Sequence, residues 1–235
     1  MINWLADLIF PCRCLLCRRY LDKKHICKKC FNGLSLKKQL ECVGCQRPTP
    51  LGKTCAFCAP TNPLDRLFVV SDFNNPDIAL LLKTFKYRFI RDLAEPLTEL
   101  TFKYLDGLSR RNNFSFIRGN PLLVPVPLHK RRENERGFNQ AALLAGLISR
   151  RYRLDLGNIL VRNSGAEPQA NIEDREKRLA NVLGLYACPD SSLILGRTVV
   201  IVDDICTTGA TLNECARVLK NVGATHVTAL VIARG

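Results

Sequence analysis

Two adjacent carboxylates stand directly before a loop of small residues in the run Thr198-Val-Val-Ile-Val-Asp-Asp-Ile-Cys-Thr-Thr-Gly-Ala-Thr211. Asp203 and Asp204 follow four apolar residues that predict a buried strand, and a helix is predicted to begin near Thr211. In such a loop, backbone N–H groups and the positive end of the helix converge on one point, which suits a phosphate group. Ligands of open α/β sheets bind at the carboxyl ends of strands, where these carboxylates can accept hydrogen bonds from sugar hydroxyls. The run therefore predicts a site for a sugar phosphate.

The loop itself supplies the candidate phosphate ligands. They are Thr207, Thr208, Gly209, Ala210 and Thr211. Threonine hydroxyls and backbone N–H groups would donate to the phosphate, and glycine permits close approach of the backbone. The run contains neither the G-x-x-x-x-G-K motif of ATP-binding P-loops nor the G-x-G-x-x-G motif of dinucleotide sites. It therefore indicates neither of those nucleotide-binding classes.

A second segment, rich in positive charge, follows a predicted strand at residues 122–126. Its side chains that could bind an anionic ligand are His129, Lys130, Arg131, Arg132 and Arg136. Several cations close together are what a multiply charged phosphate group needs. Two glutamates, Glu133 and Glu135, interrupt the segment. A solvated basic loop that binds no ligand is therefore the alternative.

Eight of the twelve cysteines form four C-x-x-C pairs within the first 58 residues. The pairs are Cys14 and Cys17, Cys27 and Cys30, Cys42 and Cys45, and Cys55 and Cys58. Nine residues separate the first pair from the second, and nine separate the third from the fourth. Two such turns that face each other supply the four tetrahedral ligands of a structural zinc ribbon, so the sequence predicts two structural zinc ions. Sequential and cross-braced sets of ligands both fit the spacing, and redox or unpaired thiols are a further alternative.

The elements that would position these residues change type near residue 61. Beyond it, short apolar strands alternate with amphipathic helices, a pattern typical of an α/β fold with a parallel sheet covered by helices on both faces. The predicted strands are residues 67–73, 122–126, 159–161, 199–202 and 227–232. The predicted helices are residues 77–85, 93–105, 139–152 and 211–222. We expect two domains, a short helix with the double zinc ribbon at 1–60 and the α/β domain at 61–235.

The chain is strongly basic. Its formal net charge is +14, from 35 basic and 21 acidic side chains. An excess of this size favours nucleic acid, phosphate-bearing ligands or an acidic membrane surface as partners. Six lysines of the cysteine region could track a phosphate backbone, namely Lys23, Lys24, Lys28, Lys29, Lys37 and Lys38. They could equally form a solvated face that offsets the thiolates.

Patterns of export and membrane insertion are absent from the sequence. The longest apolar runs are far shorter than the roughly 18 residues that a transmembrane helix needs, and residues 1–10 lack the basic leader of a signal peptide. Free cysteines in C-x-x-C pairs also indicate a reducing compartment. We therefore expect a cytoplasmic protein. The predicted helix at 1–11 would pack on the rest of the chain or contact the inner face of the membrane.

The phosphate loop resembles the phosphoribosyl pyrophosphate (PRPP) signature of type I phosphoribosyltransferases. Further motifs, in chain order, are the double cysteine ribbon, Leu82-Lys-Thr-Phe-Lys-Tyr-Arg88, Pro-Val-Pro-Leu with Arg136-Gly-Phe-Asn-Gln140, and Arg178-Leu-Ala-Asn181. Together they resemble the ComF family over nearly the entire chain. The resemblance implies a type I phosphoribosyltransferase-like fold, with the carboxylates on the ribose hydroxyls, the loop on the 5′-phosphate, the basic segment on the pyrophosphate, and Mg²⁺ bound with PRPP. It also directs attention to Arg162, Gln169, Arg178, Asn181 and Tyr186, and to Lys86 and Tyr87 on the acceptor side.

The resemblance further implies a role in the uptake or utilisation of external DNA, as in competence. The leading hypothesis is a PRPP-binding protein that works on or beside single-stranded DNA, with a DNA-uptake or helicase-like protein as a possible partner. Whether it transfers the phosphoribosyl group, and to which acceptor, is left open by the sequence. The alternatives are a non-catalytic adaptor that senses PRPP or a nucleotide, and a nucleobase salvage phosphoribosyltransferase.

Overall fold

The computed structural model describes residues 12–22, 24–88, 90–163 and 182–235. Its strands are β1 (Arg66–Asp72), β2 (Leu122–Pro125), β3 (Val161–Arg162), β4 (Tyr186–Ala187), β5 (Thr198–Cys206) and β6 (His226–Arg234). Its helices are α1 (Lys28–Gly33), α2 (Pro76–Tyr87), α3 (Ala94–Asn112), α4 (Lys130–Arg136), α5 (Gln140–Tyr152) and α6 (Ala210–Asn221). The predicted helix at 1–11 and four residues singled out above lie outside these ranges, namely Lys23, Gln169, Arg178 and Asn181. Within the described ranges, no helix has both the length and the apolar composition needed to cross a membrane.

Four strands form a parallel sheet in the order β1-β6-β5-β2, which confirms the predicted fold class. Leu156 makes a parallel bridge to Leu123 on the outer side of β2. The strand predicted at 159–161 does not belong to this sheet, and that prediction was wrong in place. The position next to β2 is occupied by the segment around Leu156, which precedes the predicted strand. The residues that follow form β3, which pairs antiparallel with β4 in a separate two-stranded sheet.

Strand alternation divides the core into two layers. Val200 and Val202 of β5 face one layer, which also contains buried side chains of α2, α3 and α5. Val199 and Ile201 face the other layer, which contains the buried side chains of α6. Because successive side chains of a strand point to opposite faces, an apolar run such as 199–202 requires cover on both sides. Helices on both faces of the sheet provide that cover.

Helix α2 carries a side chain to the carboxyl edge of the sheet. Its start is defined by Asn75, whose side chain accepts hydrogen bonds from the backbone N–H groups of Asp77 and Ile78, and by Pro76 at the first helical position. The buried face includes Ile78 and Phe85, which anchor the helix on the sheet. The last turn then presents Lys86 next to the end of β5.

The cysteine region folds as two copies of one unit. Each copy has an antiparallel bridge around its first C-x-x-C turn, Arg13 with Tyr20 in the first and Glu41 with Pro48 in the second. Each turn contains one residue in the left-handed region, Arg18 or Gln46. The equivalent geometry shows that the duplication seen in the sequence is a duplication of structure.

Candidate functional site

The carboxyl ends of β2 and β5 form a crevice. From β5 the chain crosses through α6 to β6 on one side, whereas from β2 it crosses through α5 to Leu156 on the other. Open α/β sheets bind ligands where successive crossovers diverge in this way. Pairing between β2 and β5 ends at Pro125 with Val202, so the last four residues of β5 border the crevice.

Asp203 and Asp204 lie inside β5 and not directly after it, because β6 continues to pair with β5 as far as Cys206 and Arg234. The predicted strand end at residue 202 was therefore four residues short. Asp204 is buried, and its carboxylate accepts from the ammonium group of Lys86 at 2.9 Å. A buried carboxylate needs such a counter-charge. The resemblance directed attention to Lys86 on the acceptor side, which stays a prediction, and the structure places its ammonium group on the second carboxylate.

The half-buried Asp203 has an unusual protonation equilibrium. Loss of solvation, and next the negative charge of Asp204, raise its pKa from 3.8 to about 7, although the charge of Lys86 opposes the shift. One oxygen of Asp203 accepts from the backbone N–H of Asp204 at 2.8 Å. Near neutral pH the carboxyl group of Asp203 is therefore partly protonated.

The loop between β5 and α6 has the backbone geometry of an anion site. Gly209 is the N-cap of α6 with φ 82°, in the left-handed region that favours glycine. Thr208 accepts from the backbone N–H of Ala210 at 3.3 Å through its hydroxyl. The N-terminus of α6, the positive end of the helix dipole, thus opens beside the carboxylates of β5. The structure brings the loop and both aspartates together as the sequence predicts.

A second wall of the site comes from the small antiparallel sheet. Tyr186 of β4 is buried in the core layer that contains the side chains of α6, and the backbone N–H of Gly184, just before β4, donates to the side chain of Glu214 on α6 at 2.8 Å. The guanidinium carbon of Arg162 on β3 lies 5.8 Å from the centre of the Tyr186 ring. These contacts attach β3 and β4 to α6, the helix that begins at the phosphate loop.

The basic segment is a helix, not the predicted loop. Residues Lys130–Arg136 form α4, because the run is rich in helix-forming Lys, Arg and Glu and ends at Gly137 in the left-handed conformation. His129 is its N-cap, and Nδ1 of its ring accepts from the backbone N–H of Arg131 at 3.2 Å. Arg131 also pairs with Glu135 at 3.1 Å, so part of the segment's positive charge is neutralised locally.

Arg136 is half-buried and contacts the last turn of α2, the helix that presents Lys86 to Asp204. Its guanidinium carbon lies 5.6 Å from the centre of the Tyr87 ring, next to Lys86. The same group donates to the side-chain oxygen of Gln140 at 3.1 Å. Lys130, Arg131 and Arg132 are exposed on the surface of α4. Among the predicted pyrophosphate ligands of α4, Arg136 is therefore the one that contacts the helix carrying Lys86.

Gln140 is a residue of the site to which the sequence assigned no role. It is buried, and the nitrogen of its side-chain amide has no hydrogen-bond partner among the described residues. A buried unpaired donor costs free energy, and such a cost is typical of groups that serve a ligand. A signal was present in the sequence, because Gln140 takes the place of an apolar residue at helical spacing from the buried Leu144 and Ile148.

The eight predicted zinc ligands form two compact sets, and the sets are sequential. The four sulfur atoms of each set lie within 4.8 Å of one another. One set is Cys14, Cys17, Cys27 and Cys30, and the other is Cys42, Cys45, Cys55 and Cys58. The cross-braced alternative is therefore wrong. Equivalent N–H groups donate to equivalent sulfurs, from Cys27 to Cys14 and from Cys55 to Cys42, both at 3.4 Å.

The protonation of these thiols fits a divalent cation. Burial raises the pKa of Cys14 and Cys42, but backbone N–H donors outweigh it and lower that pKa to about 6 in each. Loss of solvation and the neighbouring sulfurs raise the pKa of Cys30 and Cys58 to about 12. Four thiolates so close together repel one another unless a cation lies between them. Zn²⁺ bound by four thiolates removes that repulsion and stabilises the local fold.

Two family models match separate parts of the chain. Residues 5–59 match a family model described as a double zinc ribbon domain. Residues 139–235 match a family model described as a phosphoribosyl transferase domain. The second match contains β5, the phosphate loop and α6.

Individual relatives match almost the whole chain. The competence protein F of Haemophilus influenzae is 27% identical over 243 residues, which cover 96% of this chain and 98% of that protein. The DNA utilization protein YhgH of Escherichia coli O157:H7 is 30% identical over 231 residues, which cover 97% of this chain and 99% of that protein. The chain belongs to the ComF family. A further ComF relative, the competence protein ComFC of Bacillus subtilis, is 38% identical over 114 residues, 48% of this chain and 44% of that protein.

Proposed function

We propose that this ComF-family chain binds PRPP with Mg²⁺ in the crevice and acts in the cytoplasmic utilisation of external single-stranded DNA. The observation that supports it most is the juxtaposition of two carboxylates, Asp203 and Asp204, with the helix N-terminus at Gly209. A ribose 5-phosphate requires both features at once, because its hydroxyls need acceptors and its phosphate needs donors. The names of the relatives supply the link to DNA.

In this proposal each part of the crevice binds one part of the ligand. The loop Thr207 to Thr211 holds the 5′-phosphate, and the two aspartates accept from the ribose 2′ and 3′ hydroxyls. Arg136 contributes positive charge toward the pyrophosphate, helped by the exposed cations of α4. Lys86 keeps Asp204 paired when the ribose is absent.

Asp203 and Asp204 could also coordinate Mg²⁺, because carboxylate oxygens are the groups that this ion prefers in proteins. When bound with PRPP, Mg²⁺ would supply positive charge that favours departure of the pyrophosphate. The protein's part is to hold the ribose on the aspartates and to place fixed positive charge where negative charge develops on the leaving group.

Release of pyrophosphate from PRPP and Mg²⁺ tests the proposal, measured with single-stranded DNA, with nucleobases or with neither. Release that depends on single-stranded DNA supports direct action on DNA. Release that depends on a nucleobase would instead show a salvage enzyme. Tight PRPP binding with no release in any mixture would show an adaptor that senses PRPP.

A further inference from the structure

The second ribbon touches the phosphate loop directly. Val43, between the ligands Cys42 and Cys45, has no exposed surface. A Cβ atom added to Gly209 would lie 2.9 Å from the Cγ2 atom of Val43. Val43 therefore packs against the residue at which the loop turns into α6, and it limits the positions that the loop can adopt.

A buried arginine joins the same ribbon to the strand below the loop. Arg234 of β6 is paired with Cys206 of β5 and is almost completely buried. Its guanidinium donates to the side chain of Glu41 at 3.1 Å, to the carbonyl oxygen of Cys42 at 3.2 Å and to that of Val43 at 2.6 Å. A buried cation with three acceptors is costly to displace, so this contact fixes the Cys42–Cys45 turn of the second ribbon on the sheet.

The other turn of the same ribbon is fixed to α6. Asn213, in the first turn of α6, donates to the side-chain oxygen of Asn62 at 2.9 Å and accepts from the backbone N–H of Leu64 at 3.2 Å. Asn62 in turn donates to the carbonyl oxygen of Cys58 at 2.8 Å. Both C-x-x-C turns of the second site are thus tied to the elements that flank the phosphate loop.

The first ribbon is attached elsewhere. Leu15 occupies the position in the first C-x-x-C pair that Val43 occupies in the third, and it packs against the core layer of α2, α3 and α5. Lys103 of α3 lies over the Phe31 ring at 4.1 Å and donates to Asn32 at 3.0 Å. These contacts place the first ribbon against α3 and the second against the phosphate loop.

We infer that the second four-cysteine site is a structural part of the phosphate site, so that its occupancy by zinc and the binding of PRPP are coupled, whereas occupancy of the first site is not. Val43 and Asn213 are then positioning residues for the loop. The inference rests on the proposed function, because it takes PRPP as the ligand of the loop. Coupling between two sites is reciprocal, so each ligand must strengthen the binding of the other by the same factor.

The matched pair Val43→Ala and Leu15→Ala tests the effect of each ribbon on PRPP. Both changes shorten one apolar side chain between two cysteine ligands and leave all eight ligands in place. We expect Val43→Ala to weaken binding of PRPP with Mg²⁺ by at least about fivefold, the low end of typical coupling between sites, and Leu15→Ala to leave it unchanged. Asn213→Ala, which breaks the contact with the other turn, is expected to weaken it as well. Titration calorimetry on variants that retain two zinc ions per chain gives the affinities.

Competition for zinc at equilibrium measures the reciprocal effect, which a ribbon that only stabilises the fold, without coupling to the phosphate loop, would not produce. The full-length zinc-loaded protein is mixed with an excess of a chromogenic chelator, with and without PRPP and Mg²⁺. At equilibrium we expect PRPP to raise the fraction of one of the two zinc ions that the protein retains, and this protection to disappear in Val43→Ala but to persist in Leu15→Ala. Equal affinity of both variants for PRPP, or equal release of both ions with and without PRPP, would overturn the inference alone. No binding of PRPP by the parent protein would overturn the proposed function together with it.

Discussion

Lys86 and Asp204 form the contact that most affects the site at the scale of single residues. The two residues are far apart in the sequence, and the ion pair exists because α2 ends where β5 ends. A carboxylate that is 7% exposed cannot rely on water to stabilise its charge. The pair therefore stabilises the fold and fixes the position of the Asp204 carboxylate at the end of β5.

Lys86→Met is expected to lower the free energy of unfolding by about 1 to 3 kcal/mol, because it leaves a buried acceptor unpaired. The double variant Lys86→Met with Asp204→Asn should be more stable than the single one, since the unpaired charge is then gone. Denaturant unfolding measures both. Lys83→Met, an exposed lysine of the same helix, is the control. If Lys86→Met lowered the free energy of unfolding no more than Lys83→Met does, the ion pair would not be stabilising.

The raised pKa of Asp203 predicts a pH dependence of PRPP binding. Its pKa in the ligand-free protein is about 7, so below that pH the side chain is protonated and is a poorer acceptor for a ribose hydroxyl or Mg²⁺. Affinity should therefore fall as the pH is lowered from 8 to 6, by up to about tenfold per unit below the pKa. Calorimetry at several pH values tests this.

Asp203→Asn is the control for titration of the ligand's own phosphate groups, which is common to both proteins. The variant should bind PRPP less tightly and with a flatter pH profile than the parent. Profiles of identical shape would show that Asp203 does not titrate in this range or does not face the ligand.

At the scale of elements, the phosphate loop was predictable and the helix α4 was not. An apolar run, two aspartates and a small-residue loop are consecutive, so the sequence alone places Asp203, Asp204 and Gly209 at one strand end. The basic segment was interpreted as a loop because it is highly charged and has no apolar periodicity. Its helix-forming residues, with Gly137 at the C-cap, instead form a helix. Contacts between distant elements, such as Arg234 with the second ribbon, depend on packing that no local pattern encodes.

The two ribbons are expected to hold two zinc ions per chain, because each set of four sulfurs has the compactness and the thiol chemistry of a structural site. Metal analysis of protein purified without added zinc measures the number. Cys14→Ser should retain about one zinc and keep most of the secondary structure of the α/β domain, since structural metal stabilises the fold locally. One zinc or fewer in the parent, with thiols that react freely under native conditions, would contradict the assignment.

The surface of the first ribbon predicts a contribution to DNA binding. Lys24, Lys28 and Lys29 are exposed there, whereas Lys37 is engaged by Glu41 at 2.8 Å. For single-stranded DNA, log affinity should fall with log salt concentration by roughly 0.7 per phosphate contact, so changing these three lysines to Ala should flatten the slope by up to about 2. Fluorescence anisotropy of a labelled oligonucleotide over a salt series measures it.

The control for net charge changes three exposed arginines of another surface to Ala, Arg110, Arg111 and Arg118. This triple variant should keep the slope of the parent. An unchanged slope in the lysine variant would show that the ribbon is not the DNA surface, and a protein-docking role for it would then be favoured.

At the scale of the whole molecule, the chain combines a phosphoribosyl transferase domain with a ribbon pair that is packed on it through buried contacts. The two motifs themselves were predictable, because the cysteine pairs and the strand with its phosphate loop are local patterns. The attachment of the second ribbon to the phosphate loop was not, because it depends on the shape of Val43 against Gly209 and on the reach of Arg234. The fold thus joins two motifs that the sequence presents separately.

Titration of PRPP with Mg²⁺ into the parent protein and into Asp204→Asn tests the central claim most directly. The substitution keeps the size of the side chain and removes a charged acceptor, a loss of about 1.5 to 3 kcal/mol. That corresponds to roughly tenfold to over a hundredfold weaker binding. Asp106→Asn, an exposed change on α3, should bind as the parent does. Equal affinity of the parent and Asp204→Asn, or no binding by the parent, would contradict a PRPP site in the crevice.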